Sequence, residues 1–232
     1  EGKSQNNQSN KKPVPLLKAM SLTMAHRRFL ALIVLLAGSQ MSLTMMTGAA
    51  PFIAIDLLAG GEADVAKLMG PFLGTAIPFF IVTPWFSRRF GWEKSLVVSS
   101  VLLGVIYAMT GALGQAVIGS PMTTAMLLFS LGGPMVAILL GLEAEGITEC
   151  AEERGGNSVS VYWGVHNLVV KGSNGVSIWI CGILATRVGL SDGWLTGTEA
   201  VRAMSFIAGL FLAVGVVAYF VIKMLDQHKH ST

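Results

Sequence analysis

FLALIVLLAGSQMSLTMMTGAAPFIAI, residues 29–55, contains no charged side chain. A bilayer's hydrocarbon core is about 30 Å thick, and a helix needs about 20 apolar residues to cross it. The segment therefore reads as a transmembrane helix, and the rest of the chain repeats the pattern. Residues 68–87 and 203–222 are also free of charge. The uncharged run 95–142 is long enough for two spans and breaks at Gly111–Pro121. Residues 158–186 hold a single charge, Lys171, in an otherwise apolar run. Six spans follow, at 29–55, 66–87, 95–116, 121–143, 158–186 and 202–223.

Composition agrees. Hydrophobic residues make up 53% of the 232 and charged residues 12%, against about 25% charged in a soluble domain. Six successive apolar spans with no amphipathic helix between them leave nothing to form a soluble surface. No alternation at strand period suits a membrane β-barrel. The expected fold is an all-α membrane protein, a six-helix bundle over 29–224. A polar, disordered linker is expected at 1–13, an interfacial helix at 14–28 and a tail at 225–232. The interfacial helix rests on Leu17, Met20 and Met24 sharing a face, and simple continuation of the first span is the alternative. Gly70 and Gly74 have the small-xxx-small spacing that lets membrane helices approach closely.

Charge fixes an expected orientation. Lys3, Lys11, Lys12, Lys18, Arg27, Arg28, Arg88, Arg89, Lys94, Arg154, Lys223 and Lys229 fall on one side of six spans. Lys67, Arg187 and Arg202 fall on the other. Twelve against three is a positive-inside pattern. Both termini are expected in the cytoplasm, in a multi-pass protein of the inner (plasma) membrane. The net charge of +3 is explained by this asymmetry, and no motif supports nucleic-acid binding. Cys150 reads as a loop residue and Cys181 as a span residue, so no disulfide is expected, and neither has metal-ligand company. The chain opens on Glu1 rather than Met, which reads as a missing beginning.

Lys171 is the most informative residue. An ammonium at the bilayer centre costs about 2.5–3.5 kcal/mol on insertion scales, so it should face a partner acid, the bundle interior or water. Snorkelling from mid-span reaches poorly. Trp163, Asn167, Lys171 and Asn174, spaced by 4, 4 and 3, share one helical face, with His166 beside it. Such a stripe suits a hydroxyl-rich or anionic solute, and it also suits hydrogen bonding between packed helices. Gln40, Thr44 and Thr47 repeat the pattern on the first span, with Pro51 one turn on, where it can kink the helix.

Two loops carry charge. The fourth, EAEGITECAEERGGN at 143–157, holds Glu143, Glu145, Glu149, Glu152, Glu153 and Arg154. These could gate an inner mouth by pairing with basic residues, or simply be solvated. The second, PWFSRRFGWEK, offers Arg88 and Arg89 either as gate residues or as a membrane anchor. A protease site at Glu152, Glu153 and His166 would need further ligands or a nucleophile on neighbouring helices, so no enzyme is expected.

YWGVHNLVVKGSNG, residues 162–175, resembles the eleventh helix of the glycoside–pentoside–hexuronide:cation symporters, the melibiose-permease-like branch of the major facilitator superfamily. Ile147–Glu149 with Glu152–Gly155 resembles that family's acidic loop before this helix. SRRFGWEKS resembles its loop between helices eight and nine, and PLLKAMSLTMAHRRFLALI its central loop entering helix seven. The resemblance implies a bundle equivalent to helices seven to twelve. Lys171 would link the sugar and cation sites, and His166 and Asn167 would be the polar pair lining the sugar cavity. The chain departs from the family pattern at Asn157, Ser158 and Ser160, which stand where the family has an Arg and a Glu, and at Met135 and Val136, where it offers no aromatic.

The expected function is secondary transport of a sugar or related polar solute coupled to Na⁺ or H⁺. No cofactor is expected besides that cation, whose main site the resemblance assigns to an N-terminal half. The expected partners are the bilayer, the small solute, and either an N-terminal six-helix half or a second copy of the chain. The alternatives are a lipid or lysolipid carrier of the same superfamily and a non-transporting scaffold or inactive half.

Overall fold

The computed structural model describes residues 16–113, 120–154, 159–188, 190 and 195–230. The linker read at 1–13 lies outside them, as do Asn157 and Ser158. Among the described residues seven α-helices form: α1 (Leu16–Met24), α2 (Arg27–Phe52), α3 (Glu62–Phe90), α4 (Trp92–Gly111), α5 (Pro121–Glu152), α6 (Val159–Val188) and α7 (Thr198–His230). A π-helical turn, Ile53–Leu57, extends α2. Among the described residues six helices, α2 to α7, are long and apolar enough to cross a membrane. The all-α membrane bundle read from the sequence is what the chain forms.

The ends of the spans have local causes. The Ser120 side chain accepts from the Thr123 amide at 3.2 Å, and Pro121 takes the first turn, where its missing N–H costs nothing. Gly91 alone joins α3 to α4 at φ 84°, a left-handed conformation that a Cβ would oppose. Pro51 cannot donate to the carbonyl one turn back, and the helix widens into the π turn just beyond it.

Two boundaries differ from the sequence reading. The segment after Leu142 is not a loop: α5 continues as helix to Glu152, which also puts Cys150 inside a helix, fully buried. Charge ended the span on paper, but Glu and Ala favour helix, and Leu142, Gly146, Ile147, Cys150 and Ala151 give this stretch a buried face. Helix α7 likewise runs on through 225–230, the segment read as a tail. Helix α1 is separated from α2 by a turn at Ala25 and His26 and packs against α6 and α2.

Around the bundle the helices neighbour one another in the order α3, α5, α4, α7, α2, α6, and α2 also touches α5. The tightest crossings are made by glycines. A Cβ on Gly38 would lie 2.6 Å from the Phe211 carbonyl oxygen, so α2 meets α7 backbone to backbone. A Cβ on Gly133 would lie 2.3 Å from the Phe72 carbonyl oxygen and from Thr75 Oγ1, which fixes α5 on α3. The Gly70–Gly74 pair makes no such seam: a Cβ on either would meet nothing within 4 Å. Helices α2 and α5 are central, with 61% of their most apolar windows buried, whereas α3 and α6 keep only 11% and 17% buried. Those two flanking helices thus expose broad faces.

Candidate functional site

At the end of the bundle where α2 begins, Arg28 is the hub of an ion-pair lattice. Its guanidinium meets Glu93 of α4 at 2.8 Å, Glu149 of α5 at 2.7 Å, and Glu153 just beyond α5. Glu93 also accepts from Lys223 at 2.5 Å and from the Tyr219 hydroxyl at 3.0 Å, both on α7. The Trp92 indole donates to Glu149 at 2.5 Å and lies under Arg28, 5.2 Å from guanidinium carbon to ring centroid. Gly146 makes room for that indole, since a Cβ there would come within 2.9 Å of it. Four spans are thereby tied at one end.

His26 joins this lattice from the turn before α2. Its Nδ1 lies 2.9 Å from the Tyr162 hydroxyl of α6, and its Nε2 lies 3.4 Å from Glu153. Burial, then the Arg154 charge, holds this imidazole below its ordinary 6.5, against the opposing pull of Glu153. In the neutral tautomer with the proton on Nε2, Nδ1 accepts from the Tyr162 hydroxyl and the Nε2–H faces Glu153.

Of the gate candidates read from the sequence, Glu149 and Glu153 lie in this lattice. Glu152, Arg154, Arg88 and Arg89 are exposed and make no ion pair among the described residues. The side chain at that end of α3 that reaches across to α5 is Ser87, which donates to Glu145 at 2.5 Å. Arg28 and Glu93 were missed as site residues because the sequence reading used Arg28 only to count positive charge. One signal was present: Glu145, Glu149 and Glu153 step by four, which places them on one helix face.

Deeper in the bundle, α2, α5 and α6 bring three polar side chains together. Glu143 lies six residues before Glu149, about 9 Å further in along α5. Its Oε2 accepts from Gln40 Nε2 at 3.2 Å, and its Oε1 lies 2.9 Å from His166 Nε2. His166 is 3% exposed. That contact has ion-pair distance without hydrogen-bond alignment, and His166 Nδ1 has no partner. The Trp163 ring stands edge-on to the imidazole at 5.6 Å. Gln40 and Glu143 also line a cavity of about 10 Å³ with Ser39, Leu103 and Leu139, about the space one water needs. Glu143, read from the sequence as a loop residue, therefore sits within helix α5, where it meets α2 and α6.

The α6 stripe divides. His166 turns inward, whereas Asn167 and Lys171 are exposed on the flank of the bundle. Asn167 Nδ2 donates back to the Trp163 carbonyl of its own helix at 3.0 Å. Lys171 makes no ion pair or hydrogen bond among the described residues. Asn174 is half-buried, with its Oδ1 unpartnered. On α2, Thr44 is half-buried, and Thr47 bonds the Leu43 carbonyl at 2.7 Å.

A family model described as MFS/sugar transport protein matches residues 1–225. No curated protein and no solved structure matches.

Proposed function

The chain belongs to the MFS/sugar transport protein family, of the major facilitator superfamily, and on that premise we propose that it is the C-terminal half of a secondary transporter. It moves a sugar or related polar solute, coupled to Na⁺ or H⁺, as the resemblance of residues 162–175 to the melibiose-permease-like branch implies. Its termini face the cytoplasm of the inner membrane, on the side rich in Lys and Arg. The other half is a six-helix N-terminal unit or a second copy, and transport is rocking of the halves about a midplane site.

One observation carries the reading. Lys171 stands near the middle of a membrane helix, exposed, with no ion-pair or hydrogen-bond partner among the described residues. Lipid cannot be its neighbour at tolerable cost. A wet cavity between two halves is the environment that accepts it, and the broad uncovered faces of α3 and α6 are where the other half sits. Asn167, Trp163 and Asn174 line that cavity from α6, and Gln40 and Thr44 from α2. His166 supports the wall from behind, against Glu143. The Arg28 lattice holds the inner end of this half together.

The test is ion-driven uptake of radiolabelled sugars in cells making the chain with its N-terminal half. Lys171→Leu should insert at wild-type level and lose accumulation against a gradient. Wild-type accumulation in that variant would overturn the assignment and leave the stripe as ordinary helix packing.

A further inference from the structure

We propose that the seam between α4 and α7 seats one membrane phospholipid, with its phosphate on Arg27 and Lys223 and an acyl chain in the groove beyond them. The seat goes beyond the transport reading and does not depend on which solute is carried. Shape, open donors and depth in the bilayer support it.

At the end of the bundle where α2 begins, α2, α4 and α7 surround a cavity of about 230 Å³. Nearer the middle of the spans, an open groove of about 530 Å³ runs between α4 and α7. The two lie on one line. Glu93 of the cavity and Ser100, Gly104 and Ala108 of the groove share a face of α4. On α7, Gly209 and Val216 of the groove share a face with Lys223 of the cavity. The floor of the groove is two backbones in near contact, since a Cβ on Gly209 would lie 3.0 Å from the Gly104 carbonyl oxygen. Its walls include Val101, Val105, Leu210 and Val217, all exposed. The faces given above to the other half are on α3 and α6, so this seam is left to the bilayer. An apolar groove that opens toward lipid takes an acyl chain.

The cavity wall carries Arg27, Arg28 and Lys223 against Glu93 and Asp226. Arg28 is spent on Glu93, Glu149 and Glu153. Arg27 is not: its Nη1 donates to the Leu225 carbonyl at 2.6 Å, and its Nε lies 3.8 Å from Asp226. A guanidinium has five N–H donors, so Arg27 keeps open ones. Lys223 has three, and its contacts with Glu93 and the Tyr219 hydroxyl leave one. Open cationic donors from α2 and α7 on one cavity suit phosphate oxygens. Two carboxylates in the same wall favour the single charge of a phosphodiester over the nearly double charge of a free phosphate. Depth agrees. Trp92 and Tyr219 line the cavity, and such rings with polar tips belong at headgroup level. Val216 lies seven residues before Lys223, about 10 Å further in, at the level of the chains.

The experiment is native mass spectrometry of the full chain, delipidated in neutral detergent and then given phosphatidylglycerol. One lipid should bind per chain. Diacylglycerol with the same chains lacks the phosphate, and glycerol phosphate lacks the chains. Each should bind at least about tenfold more weakly. Arg27→Gln should weaken lipid binding about fivefold, the worth of one Lys or Arg at a membrane surface. Should that variant not fold, Lys223→Gln should give the same loss. Ala213→Trp, at an exposed residue of the groove, should block the chain and weaken binding by at least as much. Arg89→Gln removes an equal charge from α3 and should change nothing. An equal loss with Arg89→Gln would reduce the effect to general charge attraction and overturn the seat. Glycerol phosphate bound as tightly as the lipid would overturn it too, by making the cavity a free-anion site. So would a dimer of the lipid-free chain that Ala213→Trp abolishes, which gives the groove to a second copy.

Discussion

Replacing Arg28 by Gln should loosen the end of the bundle at which the lattice sits, and the expected cost can be worked from the contacts. The Arg28 side chain is 32% exposed, Glu93 23%, and Glu149 and Glu153 about 40% each. The two more exposed pairs contribute about 0.5 kcal/mol each, since solvent screens them. The partly buried bond to Glu93 contributes about 1.5 kcal/mol, at the low end for a charged hydrogen bond because Lys223 and Tyr219 still satisfy that carboxylate. The total is about 2.5 kcal/mol, to be read as reversible unfolding in mixed micelles with increasing denaturing detergent. A double-mutant cycle with Glu93→Gln should return a coupling of about 1 kcal/mol, because each single variant leaves the other group partly paired. A loss under about 0.5 kcal/mol with no coupling would falsify the view that Arg28 ties α2 to α4 and α5. The positive-inside role would then be its whole contribution.

Three further outcomes are expected. Gly133→Ala should destabilise by about 1–3 kcal/mol, since its Cβ would meet the Phe72 backbone and Thr75, whereas Gly70→Ala should cost nothing; equal effects in a thermal melt would contradict the α3–α5 seam. Cys150, fully buried in α5, should resist maleimide in the folded protein, while the half-buried Cys181 reacts faster; rapid labelling of Cys150 would mean that α5 frays before Glu152. The lowered His26 pKa means that its neutral ring favours the folded state, so its contribution is whole above pH 6.5 and is lost as pH falls through and below that value. Melting temperatures should drop over that window in the wild type, and His26→Gln should flatten the slope there; an unchanged slope would place the titration elsewhere.

The sequence by itself determined the class and the count of spans. Charge-free runs of bilayer length admit one reading, because a backbone in lipid must satisfy its own hydrogen bonds and a helix does so within one segment. It also singled out Lys171 as an expectation, since a charge in an apolar run is visible without any partner in view, with Asn167 and His166 beside it. What it misread was the segment after Leu142. In the sequence the glutamates there stand open between pairing and solvation, and in the fold Glu143, Glu145, Glu149 and Glu153 are met by Gln40 and His166, Ser87, Trp92 and Arg28, residues from 57 to 125 positions away in the chain or, for His166, on the next helix. Only the tertiary structure makes those meetings; the helix itself is carried by helix-favouring Glu and Ala and by the buried face of Leu142, Gly146, Ile147, Cys150 and Ala151. The same holds for the glycines. Gly70 and Gly74 have the spacing of a packing seam yet face open space, while Gly38 and Gly133 lie against neighbouring backbone. Spacing tells which residues share a face; what that face meets depends on how the other helices are arranged around it.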